Sequence, residues 1–337
     1  MIKCEVEHIS LAFKQPARTS RGEYLTHDSW MLKLTDDRGR VGVGEAAPLP
    51  DLSSDAGEDY EERIREFAAN LQERGGVIDY ERYRRSPSML FAAESAHRML
   101  EGDSMQIATD PVQINGLIWM GDLETMKKRV DEKLAARFRC IKIKVGGLDF
   151  EKELELIRYL RHNPHHPEWG REVELRLDAN CAFGIEEAMQ KLDKLSSFGV
   201  HSIEQPIKVR QWEQLSRLCK ESPIPIALDE ELIGLFTREE KEQMLEAVRP
   251  QAIVIKPTLH GGLSGAEEWI QLCAKYGIDW WVTSALESNI GLGAIADWLH
   301  TQQYQGKAHG LGTGLLYKTN YPSSYQLRGD EMVKNSI

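Results

Sequence analysis

Along the first 46 residues apolar and polar positions alternate, as in CEVEHISLAF, SWMLKL and VGVGEA. A period of two turns one face of an extended chain toward a core, so these runs predict the strands of an antiparallel meander. The period then lengthens. EDYEERIREFAANLQER and PSMLFAAESAHRML carry apolar residues at helical spacing, which makes residues 1–108 an α+β domain. From PVQINGLIW onward, short β-branched runs alternate with amphipathic stretches such as DFEKELELIRYLRHN, IEEAMQKLDKLSSF, REEKEQMLEAV and GAEEWIQLCAKYG. That alternation indicates a parallel sheet with crossover helices. Eight strands are predicted: VQINGLIW, FRCIKIKV, VELRLD, HSIE, PIALD, AIVIK, DWWVTSA and AHGLG. The fold class is α/β, with a barrel domain over 109–314 and a tail, 315–337, expected to pack back on the first domain.

Charged residues close several of these strands: Lys144, Asp178, Glu204, Asp229 and Lys256. Positions 178, 204, 229 and 256 lie 26, 25 and 27 residues apart, each gap holding one helix and two short loops. In a parallel barrel, side chains at the C-terminal strand ends converge on one mouth however distant they are in sequence. Lys142 and Lys144, two apart on a strand, point to the same face. Side by side, two ammonium groups disfavour each other's charge, which lowers the pKa of one and makes it usable as a general base. Asp178, Glu204 and Asp229 offer three hard oxygen donors, the set a divalent cation takes while leaving positions open for substrate oxygens. Taken singly, KIK reads as a solvated strand face and Asp229 as a helix cap; the shared register argues for a common site. Asn180, two residues beyond Asp178, is either a support for that site or the cap of the next helix.

Composition narrows the partners. The 337 residues carry 42 basic and 53 acidic side chains, a formal charge of −11, which disfavours a nucleic-acid surface or an anionic-membrane patch and points to a small molecule. The five cysteines form no CxxC pair and are too dispersed for a disulfide framework. MIKCEVEHIS has no signal-peptide apolar region and no run approaches the length of a membrane span, so the expected compartment is the cytoplasm. GVGEAA at 42–47 and GLGAIA at 291–296 match a loose dinucleotide fingerprint, but the first is followed by prolines and the second lies late in the chain, without an early βαβ unit. Glu287 is weighed as an acid at the mouth or as a solvated or ion-paired residue. His162, His165, His166 and His309 lack zinc-site spacing and read as structural or surface residues.

KIKVG, LDAN, IEQP, LDEE, IKP and TSALESNIGL together resemble the enolase superfamily in its muconate-lactonizing-type branch, over essentially the whole chain. The resemblance implies a modified (β/α)7β TIM-like barrel under an N-terminal α+β capping domain. It implies that Asp178, Glu204 and Asp229 bind Mg²⁺, with Mn²⁺ as a substitute. Lys144 then matches the base of the KxK motif, Lys142 its neighbour, and Lys256 the lysine across the substrate. The shared step is removal of the proton α to a carboxylate, giving an enediolate stabilised by the metal and by ammonium groups.

Within the branch, dipeptide epimerases carry a DxD pair on the last barrel strand to hold an ammonium group, and AHGLGTGLLY contains no acid. Backbone amides of Gly310, Gly312 and Gly314 would suit an anionic group instead. Ser284 in the SALES turn and the cap segment FKQPARTSRGEYLT resemble the o-succinylbenzoate synthases; Arg18 and Arg21 in that segment are either solvated, as loop arginines usually are, or reach a succinyl carboxylate. The implied reaction is dehydration of 2-succinyl-6-hydroxy-2,4-cyclohexadiene-1-carboxylate in menaquinone synthesis. The alternatives are an N-succinylamino acid racemase, a Schiff-base aldolase using Lys256, and a non-catalytic metal-binding barrel. A homo-oligomer is left open.

Overall fold

The computed structural model describes residues 2–19, 22–102, 110–302 and 306–335. The chain opens with the antiparallel sheet β1 (Lys3–Thr19), β2 (Gly22–Thr35) and β3 (Val41–Ala46), followed by α1 (Tyr60–Glu73), α2 (Tyr80–Tyr83) and α3 (Pro87–Glu101). Leu32, Leu34, Ile64, Phe67, Phe91 and Ala92 are almost fully buried. The first GxGxxA match has a packing role. A Cβ on Gly44 would lie 1.8 Å from the Ala92 carbonyl oxygen and one on Gly42 2.0 Å from that of Ala96, so the bare backbone admits α3 against β3.

The second domain alternates as its pattern predicts. After β4 (Val112–Gln113) come β5 (Gly116–Ile118), α4 (Leu123–Ala135), β6 (Cys140–Lys144), α5 (Phe150–Arg161), α6 (Pro167–Glu172), β7 (Glu174–Asp178), α7 (Ile185–Ser196) and β8 (Ser202–Glu204). Then follow α8 (Trp212–Glu221), β9 (Ile226–Leu228), α9 (Arg238–Val248), β10 (Ala252–Ile255), α10 (Gly262–Tyr276), β11 (Asp279–Val282) and α11 (Asn289–Leu299). Strands β5 to β11 form one parallel sheet in sequence order. The expected eighth strand, AHGLG, contributes only single bridges: His309 pairs with Ile114 and Gly310 with Thr283, both parallel. Those bridges join the two ends of the sheet and close the barrel, so the outcome is the capped, curled barrel expected.

Strand parity sorts the residues. Ile141, Ile143, Leu175, Leu177, Ile203, Ile253 and Ile255 belong to the buried core shared with the surrounding helices, each worth roughly 1.5–3 kcal/mol of burial. The intervening residues belong to the barrel interior. Low in that interior, Ala227 and Ala252 leave room for Trp281, and the Arg176 guanidinium lies 4.2 Å from the centre of its ring. The interior is thus filled below, and only the upper residues face open space.

Two buried glutamates of the cap dock on barrel helices. Glu45 accepts the Ser288 and Gly291 N–H groups at 2.9 Å and the Ser288 hydroxyl at 2.6 Å, at the start of α11. Glu94 accepts the Leu263 and Ser264 N–H groups at the start of α10. Carboxylates at helix N-termini satisfy donors that the helix cannot. Gly291, in the second GxGxxA match, sits inside α11 beside Glu45.

The tail expected on the cap reaches it at Tyr317, which bridges Phe13, and at Lys318, whose N–H donates to Ala12. Farther on it serves the barrel, where β12 (Tyr325–Arg328) and β13 (Glu331–Lys334) form a hairpin pairing with β4. The five cysteines are free thiols. Among the described residues no helix is long and apolar enough to cross a membrane.

Candidate active site

Strand register brings the charged residues together. Lys144 stands opposite Asp178, and Asp178 opposite Glu204. Asp229 follows β9 directly and Lys256 follows β10. In the closed ring β6 and β10 lie four strand positions apart, on opposite sides, with the three carboxylate positions along one arc between them.

The lysines engage those carboxylates. Lys142 Nζ lies 2.8 Å from Asp178 Oδ2 and 2.7 Å from Glu204 Oε2. Lys144 Nζ donates to Asp178 Oδ2 at 3.1 Å and to Asn180 Oδ1 at 2.6 Å. Lys256 is paired with Asp229. Burial pushes the Lys142 ammonium toward neutrality, but the charges of Asp178, Glu204 and Asp229 outweigh it and hold its pKa above the ordinary lysine value. Lys256 is likewise held protonated: Asp229, Glu230 and Glu204 overcome its burial. Asp178 is buried, yet Lys142 and Lys144 keep it below the usual carboxylate range. Glu204 goes the other way, pushed up to about 8 by burial and by the charge of Asp178. The repulsion expected between the two lysines is therefore compensated at Lys142 by carboxylates that the strand pattern alone does not pair with it.

Lys142, Lys144, Asp178 and Lys256 line a cavity of about 680 Å³ that extends past Leu117 to Phe138 and Gly329, while Glu204 and Asp229 lie outside its lining. Lys142, Lys144, Asp178, Asn180, Glu230 and Lys256 form its polar floor, and Phe13, Tyr24 and Leu49 of the cap part of its roof. Ser284 and Thr313 line its side, their hydroxyls 2.7 Å apart. One hydroxyl donates to the other, so the acceptor's own hydrogen is available to an anion.

Among the described residues no three His, Cys, Asp or Glu side chains are gathered as a ready metal cage; the ammonium groups of Lys142 and Lys256 lie among the acids. The donor set nevertheless fits a hard divalent cation. Glu204 Oε1, Asp229 Oδ1 and Glu230 Oε2 are buried oxygens with no hydrogen-bond partner, and leaving such atoms unpaired is costly unless something else meets them.

Other expectations need correction. Glu287 is neither at the mouth nor solvated: it is fully buried, receives the Thr258 hydroxyl and the Ala285 N–H, and burial pushes it up to about 7. The Gly310 N–H is not offered to a ligand, since it donates to the Val282 carbonyl at 2.8 Å; Gly310 lines the cavity as a close approach, where a Cβ would meet Thr283 Oγ1 at 2.2 Å. Gly312 lines the cavity at the head of a short 3-10 turn. Asn180 does not cap α7, which begins after Gly184; it adopts φ 41°, its N–H held by Asp178 Oδ1 at 3.1 Å. Arg21 and the Arg18 side chain lie outside the described residues.

The reading from sequence missed Glu230 and Thr313. Glu230 is buried and accepts from Asn180 Nδ2 at 3.0 Å. Its place in LDEE, next to a strand-end acid, was the available signal. Gln205, also missed, is fully buried and accepts the Asp229 and Glu231 N–H groups through its side-chain oxygen, fixing the turn that carries Asp229.

A capped parallel barrel with three acids between opposed lysines at its mouth defines an enolase-type enzyme. Residues 125–308 match the Enolase C-terminal domain-like family. The chain is 41% identical to an o-succinylbenzoate synthase of Desulfotalea psychrophila, across 95% of each chain. It is 26% identical to the L-Ala-D/L-Glu epimerase of Bacillus subtilis, covering 88% of this chain and 84% of that one. The crystal structure of MenC from D. psychrophila superposes with a TM-score of 0.82 at 36% identity, covering 98% of this chain and 99% of the other. The muconate lactonizing enzyme of Pseudomonas fluorescens shares the fold, with a TM-score of 0.81 at 18% identity, covering 98% and 92%. The chain belongs to the enolase superfamily and, within it, to the family of the o-succinylbenzoate synthases.

Proposed function

We propose that this protein is a hydro-lyase that converts 2-succinyl-6-hydroxy-2,4-cyclohexadiene-1-carboxylate to water and o-succinylbenzoate, the product for which its 41%-identical relative is named. The observation that carries the reading, beside that likeness, is the placing of Lys144 and Lys256 on opposite sides of one cavity, with Asp178, Glu204 and Asp229 between them. Asp178, Glu204 and Asp229 would hold Mg²⁺, or Mn²⁺ in its place. Bound there, the cation supplies positive charge against the second negative charge that a carboxylate gains when its α-proton leaves.

The remaining chemistry belongs to the chain. Lys144, as a neutral amine, takes the proton from the ring carbon bearing the carboxylate. Lys256, held charged by Asp229 and Glu230, stabilises the anion from the opposite side. The electron pair of the broken C–H bond becomes a ring double bond as the C–O bond breaks, and Lys144 passes its proton to the departing hydroxide, giving water. Proton and hydroxide leave from one face, so a single base suffices. Ser284 and Thr313 offer a hydroxyl to a substrate carboxylate, and the apolar roof closes over the ring. The substrate is a small carboxylate and the expected compartment the cytoplasm.

An N-succinylamino acid racemase would use the same two lysines as opposed bases, so that Lys256 must pass through a neutral state that dehydration on one face does not require. Comparing kcat/KM for the cyclohexadiene, an N-succinylamino acid and a free dipeptide on one preparation tests the reading. The cyclohexadiene is expected to be far the best and the dipeptide inert. Preference for the N-succinylamino acid would replace dehydration with racemisation.

A further inference from the structure

Lys144, Asn180 and Glu230 form a short chain across the cavity floor. Lys144 Nζ lies 2.6 Å from Asn180 Oδ1, and Asn180 Nδ2 lies 3.0 Å from Glu230 Oε1. An amide has one acceptor end and one donor end, so its two neighbours decide which way it points. Here a donor stands on one side and a carboxylate on the other. Reversing the amide would set NH₂ against an ammonium and oxygen against a carboxylate, losing both bonds at once. Glu230 therefore dictates that Asn180 shows its oxygen to Lys144.

That orientation matters for a base. A neutral amine has two N–H bonds and one lone pair. Asp178 Oδ2 and Asn180 Oδ1 accept from Lys144; with both hydrogens engaged there, the lone pair is left for the cavity that Lys144 lines. Were the Asn180 oxygen turned away, an amine hydrogen would be unpaired and the lone pair free to rotate off the substrate. The backbone supports the same geometry. Asn180 sits at φ 41°, a conformation asparagine tolerates, and Asp178 Oδ1 holds its N–H.

We infer that Glu230 is a positioning residue for Lys144, acting through the side-chain amide of Asn180; this rests on the dehydratase reading above. Glu230 moves no proton. It keeps the Asn180 oxygen on the amine, and any side chain that accepts a hydrogen bond from Asn180 can do the same.

The test is a double-mutant cycle on the full enzyme loaded with Mg²⁺, with urea midpoints confirming that each variant is folded. Glu230→Met keeps length but not the acceptor and is expected to lower kcat about 10-fold or more with KM changed less than about 3-fold. Asn180→Gly, which adopts φ 41° without strain, is expected to lose a similar factor. In the Asn180→Gly background Glu230→Met and Glu230→Gln should be equally fast within about 3-fold, because both remove the charge beside Lys256 and the hydrogen-bond acceptor at that position acts only through Asn180. Glu230→Gln, which still accepts from Asn180 but gives up the charge beside Lys256, should be at least about 5-fold faster than Glu230→Met. A gap between the two Glu230 variants that persists at about 5-fold or more in the Asn180→Gly background, a Glu230→Met enzyme at parental rate, or a Glu230→Gln enzyme as slow as Glu230→Met would overturn the inference. The same series read by α-hydrogen exchange of an N-succinylamino acid in D₂O separates it from the function. A parent that exchanges this hydrogen but does not dehydrate the cyclohexadiene overturns the dehydratase reading, and the cycle is then decided on exchange. A parent that does neither overturns both.

Discussion

Lys144 and Asp178 stand opposite one another in the parallel ladder of β6 and β7, and their side chains meet at 3.1 Å. The residue assigned as base is thus tied to the first of the residues assigned to the metal. A change at either end of that bond alters both charge and aim, which sets the terms for the substitutions below.

Asp178→Asn, Glu204→Gln and Asp229→Asn should each leave a folded protein with greatly weakened Mg²⁺ binding, and a loss of activity of about 1,000-fold or more. Titration calorimetry reads the binding and a chelator should silence the parent enzyme. Three variants that bind Mg²⁺ like the parent would refute the ligand assignment.

The two lysines facing each other across the cavity should differ in severity. Lys144→Ala removes the base and should cost about 1,000-fold in kcat, whereas Lys256→Ala removes a stabilising charge and should cost about 100-fold. Solvent-deuterium exchange into substrate separates them: Lys144→Ala should abolish it. Exchange at the parental rate in that variant would place the base elsewhere.

Lys142 is expected to matter for stability before it matters for rate. It is buried and bridges Asp178 and Glu204, so Lys142→Ala leaves two buried carboxylates short of a cation and should lower metal-free stability by about 3 kcal/mol. Saturating Mg²⁺ should restore most of it, because the ion supplies the missing charge. Urea denaturation with and without Mg²⁺ measures both; equal losses in the two conditions would contradict the account.

Glu287 should make stability fall as pH rises. Its folded pKa is raised by burial from 4.5 to about 7, so the stabilising contribution of its protonated form is fully present below 4.5 and is lost as pH passes 7. Glu94, raised to about 7, and Asp55, raised to about 6, act in the same sense. Glu287→Gln can still accept from Ala285 and donate to Thr258, and it should be more stable than the parent at pH 8 by up to about 3 kcal/mol while matching it near pH 4.5. Parallel denaturation profiles at the two pH values would show that Glu287 is not the titrating group.

The amino-acid sequence by itself determined the direction and parity of the chain. Period two in SWMLKL and the alternation of β-branched runs with amphipathic stretches are consequences of covalent geometry, and they state which face each residue takes before any partner is known. The mouth residues Lys144, Asp178, Glu204, Asp229 and Lys256 were legible for that reason: ending a parallel strand already places a side chain. What each one touches was decided only by tertiary structure. Lys142 and Lys144 share a strand and a face, yet Lys142 meets Asp178 and Glu204 while Lys144 meets Asp178 and Asn180. The burial of Glu287, the spent N–H of Gly310 and the bond between Glu230 and Asn180 likewise depend on neighbours remote in sequence. The GxG of β3 is set aside as a nucleotide loop by the prolines that follow it, but its packing use appears only when α3 is seen resting on its bare backbone. Faces and strand ends follow from local bonds, whereas hydrogen-bond partners and burial arise only when segments such as those 34 and 243 residues apart close on one another, and no local pattern carries that information.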